Sequence, residues 1–212
     1  MQALERSFLS NDWLTLVLVI LTLVVFFLRA LNQEKLQGYF LGLFNKGFID
    51  AEVEERMTIF NAFYILQFLF SVLVIALGIF TIANHYQTFT NPLNSYLWIS
   101  AGALAYFVLK KALEYGISFV LQIQGGVKFY LISKSSYLYS LSYFIFIFIV
   151  LFFYADLPIN SLFICCGLGL LFRLILMITY NKNLIFNHLF YFILYICGFE
   201  IAPLLILFKL ML

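Results

Sequence analysis

Six apolar runs, each near the length a helix needs to cross a bilayer, dominate this chain of 212 residues. A hydrocarbon core about 30 Å thick takes about 20 helical residues to cross. Inside it, only helices and closed barrels satisfy their own backbone groups. The runs cover about 13–31, 57–83, 96–114, 137–155, 159–180 and 189–208. They predict an all-α polytopic membrane protein with about six transmembrane helices in a single integral domain spanning 1–212. Composition closes the alternatives: 65% of residues are hydrophobic and 10% are charged, against about 25% charged in soluble domains. Twelve Lys and Arg with ten Asp and Glu cannot cover a globule of this size in water. A free cytosolic enzyme, a nucleic-acid-binding domain and a disordered tail are excluded.

The first run opens at Trp13 after Asn11 and Asp12 and closes at Arg29. Acidic residues precede it and no small-residue cleavage site follows, so it reads as a retained span and not a signal peptide. The third is short: Tyr96 to Leu109 is apolar, and Lys110 and Lys111 then fall at the membrane boundary, where long stems reach the headgroups. Glu114 stands four residues after Lys110 and can pair with it. Lys and Arg cluster on the cytoplasmic side of membrane proteins. With both termini outside, Arg29, Lys35, Lys46, Arg56, Lys110, Lys111, Lys128, Lys134, Arg173 and Lys182 all lie at the inner side, leaving only Arg6 and Lys209 outside. The predicted orientation is N-out and C-out.

Two inner connections are long and weakly polar. In the first, Leu36, Tyr39, Phe40, Leu43 and Phe44 recur at helical spacing and form one apolar stripe. Such a stripe lies on the membrane surface or docks on a partner helix, and the membrane surface is the preferred reading. Gly38 and Gly42 form a small-xxx-small pair on it, a weak signal outside a span. The second, 115–136, holds two apolar pieces separated by Gly125 and Gly126, which reads as two interfacial helices or a re-entrant hairpin. Together these give interfacial amphipathic helices on the cytoplasmic side.

Ionisable residues inside spans are functional candidates by default, and two qualify: Arg173 in the fifth run and Glu200 in the sixth. The short connection 181–188 makes these spans antiparallel neighbours. At 1.5 Å per residue the two side chains differ in level by about 6–7 Å, within reach of each other. A buried pair that fixes helix register is one reading, and a proton or substrate site is the other. Pro203 follows three residues after Glu200 and frees the carbonyl of Phe199, which makes a polar spot at mid-membrane depth.

The segment from Phe190 to Lys209, with Tyr195, Cys197, Gly198, Glu200, Ile201 and Pro203, resembles the closing motif of a bacterial family of uncharacterised multi-span inner-membrane proteins, a domain of unknown function. The likeness covers about twenty residues; the other spans agree only in hydropathy and length. It implies a bacterial inner (cytoplasmic) membrane, motif positions at Tyr195, Cys197, Glu200, Pro203 and Lys209, and no established activity.

Other chemistry is thin. Asp50, Glu52, Glu54 and Glu55 read as the acidic start of the second helix, with Asp50 as cap. No H-E-x-x-H or G-x-S-x-G run is present. His85 and His188 fall on opposite sides and cannot share a haem or zinc. Cys165, Cys166 and Cys197 lie in apolar runs and read as small hydrophobes. No catalytic residue, metal or cofactor is expected. Lys110, Lys111, Lys128 and Lys134 could receive anionic headgroups, although positive-inside anchoring accounts for them. The expected partners are the lipid bilayer and other membrane-protein subunits, with no nucleic acid. Small loops, missing catalytic motifs and the amphipathic stripe point to a non-catalytic accessory or scaffold subunit of an inner-membrane assembly, in envelope biogenesis or protein export. The alternatives are a proton-linked transporter using Arg173 and Glu200, and a lipid-modifying enzyme.

Overall fold

A computed structural model describes residues 12–43, 45–55, 61–86, 91–120, 124–155 and 157–180. The described residues contain helices and no strands. They are α1 (Asp12–Leu31), α2 (Gln33–Phe40), α3 (Lys46–Glu55), α4 (Ala62–Tyr86), α5 (Pro92–Val120), α6 (Gln124–Tyr154) and α7 (Ile159–Tyr180). Four are long and apolar enough to cross a membrane: Trp13–Leu31, Ala62–His85, Leu131–Tyr154 and Ile159–Leu176. This is the fold of a membrane protein. The third expected span, 96–114, lies within α5, which is longer than expected and does not reach the same apolarity. The sixth, 189–208, falls outside the described residues.

Helix ends follow local chemistry. The Asn32 side chain accepts from the Lys35 amide at 2.9 Å and caps α2, so the chain turns out of α1 with one residue between the helices. Asn61 precedes α4, and its side chain accepts from the Phe63 amide at 3.2 Å. Pro92 opens α5 at a position where a missing N–H costs nothing. The acidic group sits elsewhere than expected: Asp50, Glu52, Glu54 and Glu55 belong to the separate helix α3, so Asp50 does not cap the second span.

The long helices alternate in direction. Ser71 meets Ser142, and Gly78 faces Ile149 at the same offset, so α4 and α6 run parallel. Tyr96 packs by Phe80 while Lys111 lies over Phe68, so α5 runs against α4. Gly169 faces Leu141 and Arg173 reaches Lys134, so α7 runs against α6. Trp13 packs edge-on to Phe80 at 5.2 Å, placing the start of α1 beside the end of α4. One end of the bundle therefore gathers the C-termini of α1, α5 and α7, the N-termini of α4 and α6, and the pair α2–α3. Every described Lys and Arg lies in that half. The opposite end carries the Trp13, Phe80 and Tyr96 cluster.

The central core joins Leu18, Leu21 and Leu28 of α1, Phe70, Val74 and Leu77 of α4, and Tyr139, Tyr143 and Ile149 of α6. α4 is the most enclosed of the four apolar helices, whereas α1 and α7 leave most of their surface uncovered.

The connection 115–136 differs from both expected forms. α5 runs through Val120 and α6 starts at Gln124, so Gly125 and Gly126 lie in the first turn of α6 and the second apolar piece is its continuation. A glycine pair is tolerated where a helix begins and costs most in its interior.

The stripe of the first connection also has a different role. Tyr39 is fully buried and Leu43 is buried, Leu36 packs against the central core, and only Phe40 is exposed; Phe44 is outside the described residues. α2 thus packs its stripe on its own chain and not on the membrane surface. The glycine pair explains how: a Cβ on Gly38 would run into the Phe48 ring, and one on Gly42 would lie 2.6 Å from Ser140 Oγ. These small residues let α2 approach α3 and α6. Gly38→Val is expected to lower stability by about 1–3 kcal/mol through overpacking. Gly47→Ala, whose added methyl meets only Asn45 Oδ1 at 3.6 Å, should leave the melting temperature in detergent unchanged or slightly raised.

Candidate functional site

The described lysines, arginines and buried carboxylates that bind other helices collect in the basic half of the bundle, in three adjoining groups; His85, Cys165 and Cys166 lie in the other half. The first joins α2, α3 and α4. Tyr39 Oη donates to Glu52 Oε1 at 2.9 Å, and Lys35 Nζ stands 3.6 Å from Glu52 Oε2. Lys35 Nζ also donates to Tyr64 Oη at 3.1 Å. The Glu52 side chain is almost fully buried while that of Lys35 is 22% exposed. The partly exposed lysine gives the buried carboxylate its counter-charge, the arrangement a buried charge requires.

The second group lies between α4, α5 and α6. Lys111 Nζ donates to Tyr139 Oη at 3.1 Å and sits 4.2 Å from the centre of the Phe68 ring, a cation–π contact. Deeper, Tyr143 Oη donates to Gln67 Oε1 at 2.5 Å, and Ser71 Oγ and Ser142 Oγ share a hydrogen bond of 2.9 Å. Gln67, Ser71 and Ser142 are completely buried. The rings of Tyr39 and Tyr139 meet at 5.8 Å and connect this group to the first.

The third group joins α5, α6 and α7. Lys134 Nζ donates to Glu114 Oε1 at 2.5 Å, with both side chains 7% exposed. Arg173, also buried, donates through Nη2 to the Lys134 carbonyl at 3.4 Å. A charge-assisted bond this short, inside a low dielectric, ties α5 to α6 firmly.

The lysines expected at the headgroups thus divide. Lys134 is corrected: it points into the bundle toward Glu114, because a buried carboxylate binds its ammonium in preference to solvent. Lys111 also turns inward, to Tyr139 and Phe68. Lys110 lies over Tyr106 at 5.8 Å on a partly exposed surface. Lys128 is placed near the start of α6. Of the intramembrane pair, Arg173 is buried and donates to the Lys134 carbonyl, while Tyr195, Glu200 and Pro203 lie outside the described residues.

Sequence reading missed Glu52, Gln67, Tyr143 and the Ser71–Ser142 contact. A signal existed for Tyr143 and Ser142. The run Ser133-Lys134-Ser135-Ser136-Tyr137-Leu138-Tyr139-Ser140-Leu141-Ser142-Tyr143 is too polar for a lipid-facing helix and too long for a loop, so it had to face protein. No group of three His, Cys, Asp or Glu that could hold a metal occurs among the described residues. The arrangement fixes helices to one another and places the hydrogen bonds between side chains of different helices given above in the basic half.

Residues 14–211 match the family described as a domain of unknown function, DUF4271. The chain belongs to this family. The match takes in α1 from Leu14 onward and every later described helix, and it agrees with the uncharacterised family that the C-terminal segment resembles. No curated protein and no solved structure matches the sequence. For DUF4271, therefore, chemistry has to be argued from the side chains themselves.

Proposed function

We propose that the protein is a non-catalytic accessory or scaffold subunit of a bacterial inner-membrane assembly, in envelope biogenesis or protein export. It spans the membrane six times, with both termini outside and the basic half facing the cytoplasm. One observation carries the reading: buried charged side chains bind each other across helices, Glu114 with Lys134 and Glu52 with Lys35, and so fix the frame. Two broad surfaces are left apolar. Leu16, Val19, Ile20, Leu23 and Phe27 are exposed along α1, and Ile164, Leu168, Leu171 and Ile175 along α7. Such faces suit lipid and the helices of neighbouring subunits. Positive-inside placement of the lysines and arginines supports the orientation.

The test is affinity purification from native membranes in mild detergent, followed by mass spectrometry. Membrane proteins recovered in stoichiometric amount are the expected result, and a lone monodisperse protein overturns the proposal. The second reading, a proton-linked transporter, draws on Arg173, which is buried beside the Glu114–Lys134 pair. It requires Glu200 to be reached by water. Proton uptake by proteoliposomes that Glu200→Gln abolishes would favour it, and a dry Glu200 bonded to Arg173 would remove it.

A further inference from the structure

Polar side chains in α4 and α6 stop abruptly half-way along. α4 carries Tyr64, Gln67 and Ser71, and then 72–80 without a polar side chain. α6 carries Ser133 to Tyr143, and then 144–153 without one. Because the two helices run parallel, the polar halves coincide. Counted at 1.5 Å per residue from the apolar starts Ala62 and Leu131, Ser71 lies about 14 Å and Tyr143 about 18 Å along its helix. A polar wedge thus enters from the basic end and stops near the middle of a hydrocarbon core of about 30 Å.

Within the wedge one group is unsatisfied. Gln67 is completely buried and its Oε1 accepts from Tyr143 Oη, but its Nε2 has no hydrogen-bond partner. A buried amide donor without an acceptor is costly, and an apolar bundle interior supplies none. Turning the amide over does not help: Nε2 would then meet Tyr143 Oη, and Oε1 would be the atom left over. The group that completes the site must therefore be small, and able to donate as well as accept. Water meets both conditions. It needs two to four polar partners, and the Gln67 amide, Tyr143 Oη and the Ser71–Ser142 hydroxyl pair adjoin: Tyr143 donates to Gln67 Oε1, and Ser71 Oγ reaches the Gln67 carbonyl at 2.9 Å.

We infer that the seam between α4 and α6 is an internal water site at Gln67, with the Ser71–Ser142 pair at its inner tip and the basic end of the bundle as its entrance. Beyond the Ser71–Ser142 pair the seam is dry, closed by Val74, Leu77 and Ile149, all completely buried. The site does not depend on the scaffold reading, since a subunit or a transporter could each contain it.

Water-edited solid-state NMR on the full chain in lipid bilayers tests this directly. The Gln67 side-chain amide is assigned through the backbone of Phe68, so no variant has to fold. Its signal should gain polarisation from water several-fold faster than the amides of Val74 and Ile149, with Ser142 behaving like Gln67. If Gln67 and Ser142 rise as slowly as Val74 and Ile149, the seam is dry along its length and the inference is overturned.

Discussion

Lys134→Met is expected to destabilise the protein by about 3–5 kcal/mol, and Glu114→Leu combined with Lys134→Met to recover most of that loss. Both side chains are 7% exposed, so removing the ammonium leaves a carboxylate buried without the cation 2.5 Å away. Removing both charges leaves apolar groups of similar size in an apolar setting. The bond from Arg173 is not affected directly, because its acceptor is the Lys134 backbone carbonyl. Chemical denaturation of the purified protein in detergent, followed by circular dichroism, measures both variants. A headgroup-anchoring lysine would behave differently: its loss would cost under about 1 kcal/mol, and the second substitution would restore nothing.

The sequence's apolar runs set out most of the helical frame. The run 13–31 coincides with the apolar part of α1, and 159–180 with α7. Length and hydropathy suffice there because lipid-facing helices answer to the solvent alone. The start of the fourth span was hidden. The expected span starts at Tyr137, whereas α6 begins at Gln124, because the Gly125-Gly126 pair and the polar run Ser133-Lys134-Ser135-Ser136 read as a connection. Within the helix, Ser135, Ser136, Ser140 and Ser142 donate to carbonyls three or four residues earlier. A serine that donates to its own helix is inexpensive in an apolar interior, and hydropathy scales do not register that bond.

The site was less legible for a related reason. An amphipathic stripe such as Leu36, Tyr39 and Leu43 looks the same whether its apolar face meets headgroups or protein. What decides is the shape of the opposing surface, here Phe48, Phe63 and Tyr139, contributed by three other helices. Glu52 is hidden in the same way. Its partners Lys35 and Tyr39 come from another helix, and nothing in the local run Ala51-Glu52-Val53 distinguishes a buried acid from a solvated one.

Tyr39 therefore gives the sharpest test of how α2 is held. Tyr39→Ala is expected to cost about 3–5 kcal/mol, the range for large aromatic truncations in a core. Tyr39→Phe should cost less, about 1.5–3 kcal/mol, the value of a hydrogen bond to a charged group. The ring is completely buried, edge-on to Phe48 at 5.2 Å, stacked on Phe63 at 6.0 Å and edge-on to Tyr139 at 5.8 Å. Truncation removes all of these contacts together with the hydroxyl that donates to Glu52. Phenylalanine keeps the ring and loses the donor alone, and Lys35 still offers the carboxylate its charge. The same denaturation measurement separates the two terms. A helix lying on the membrane surface would give the opposite pattern: neither variant would shift the unfolding midpoint, and Tyr39→Ala would weaken only the hold of α2 on lipid. Because Tyr39 contacts α3, α4 and α6 at once, its loss should loosen the whole basic end and not one helix alone.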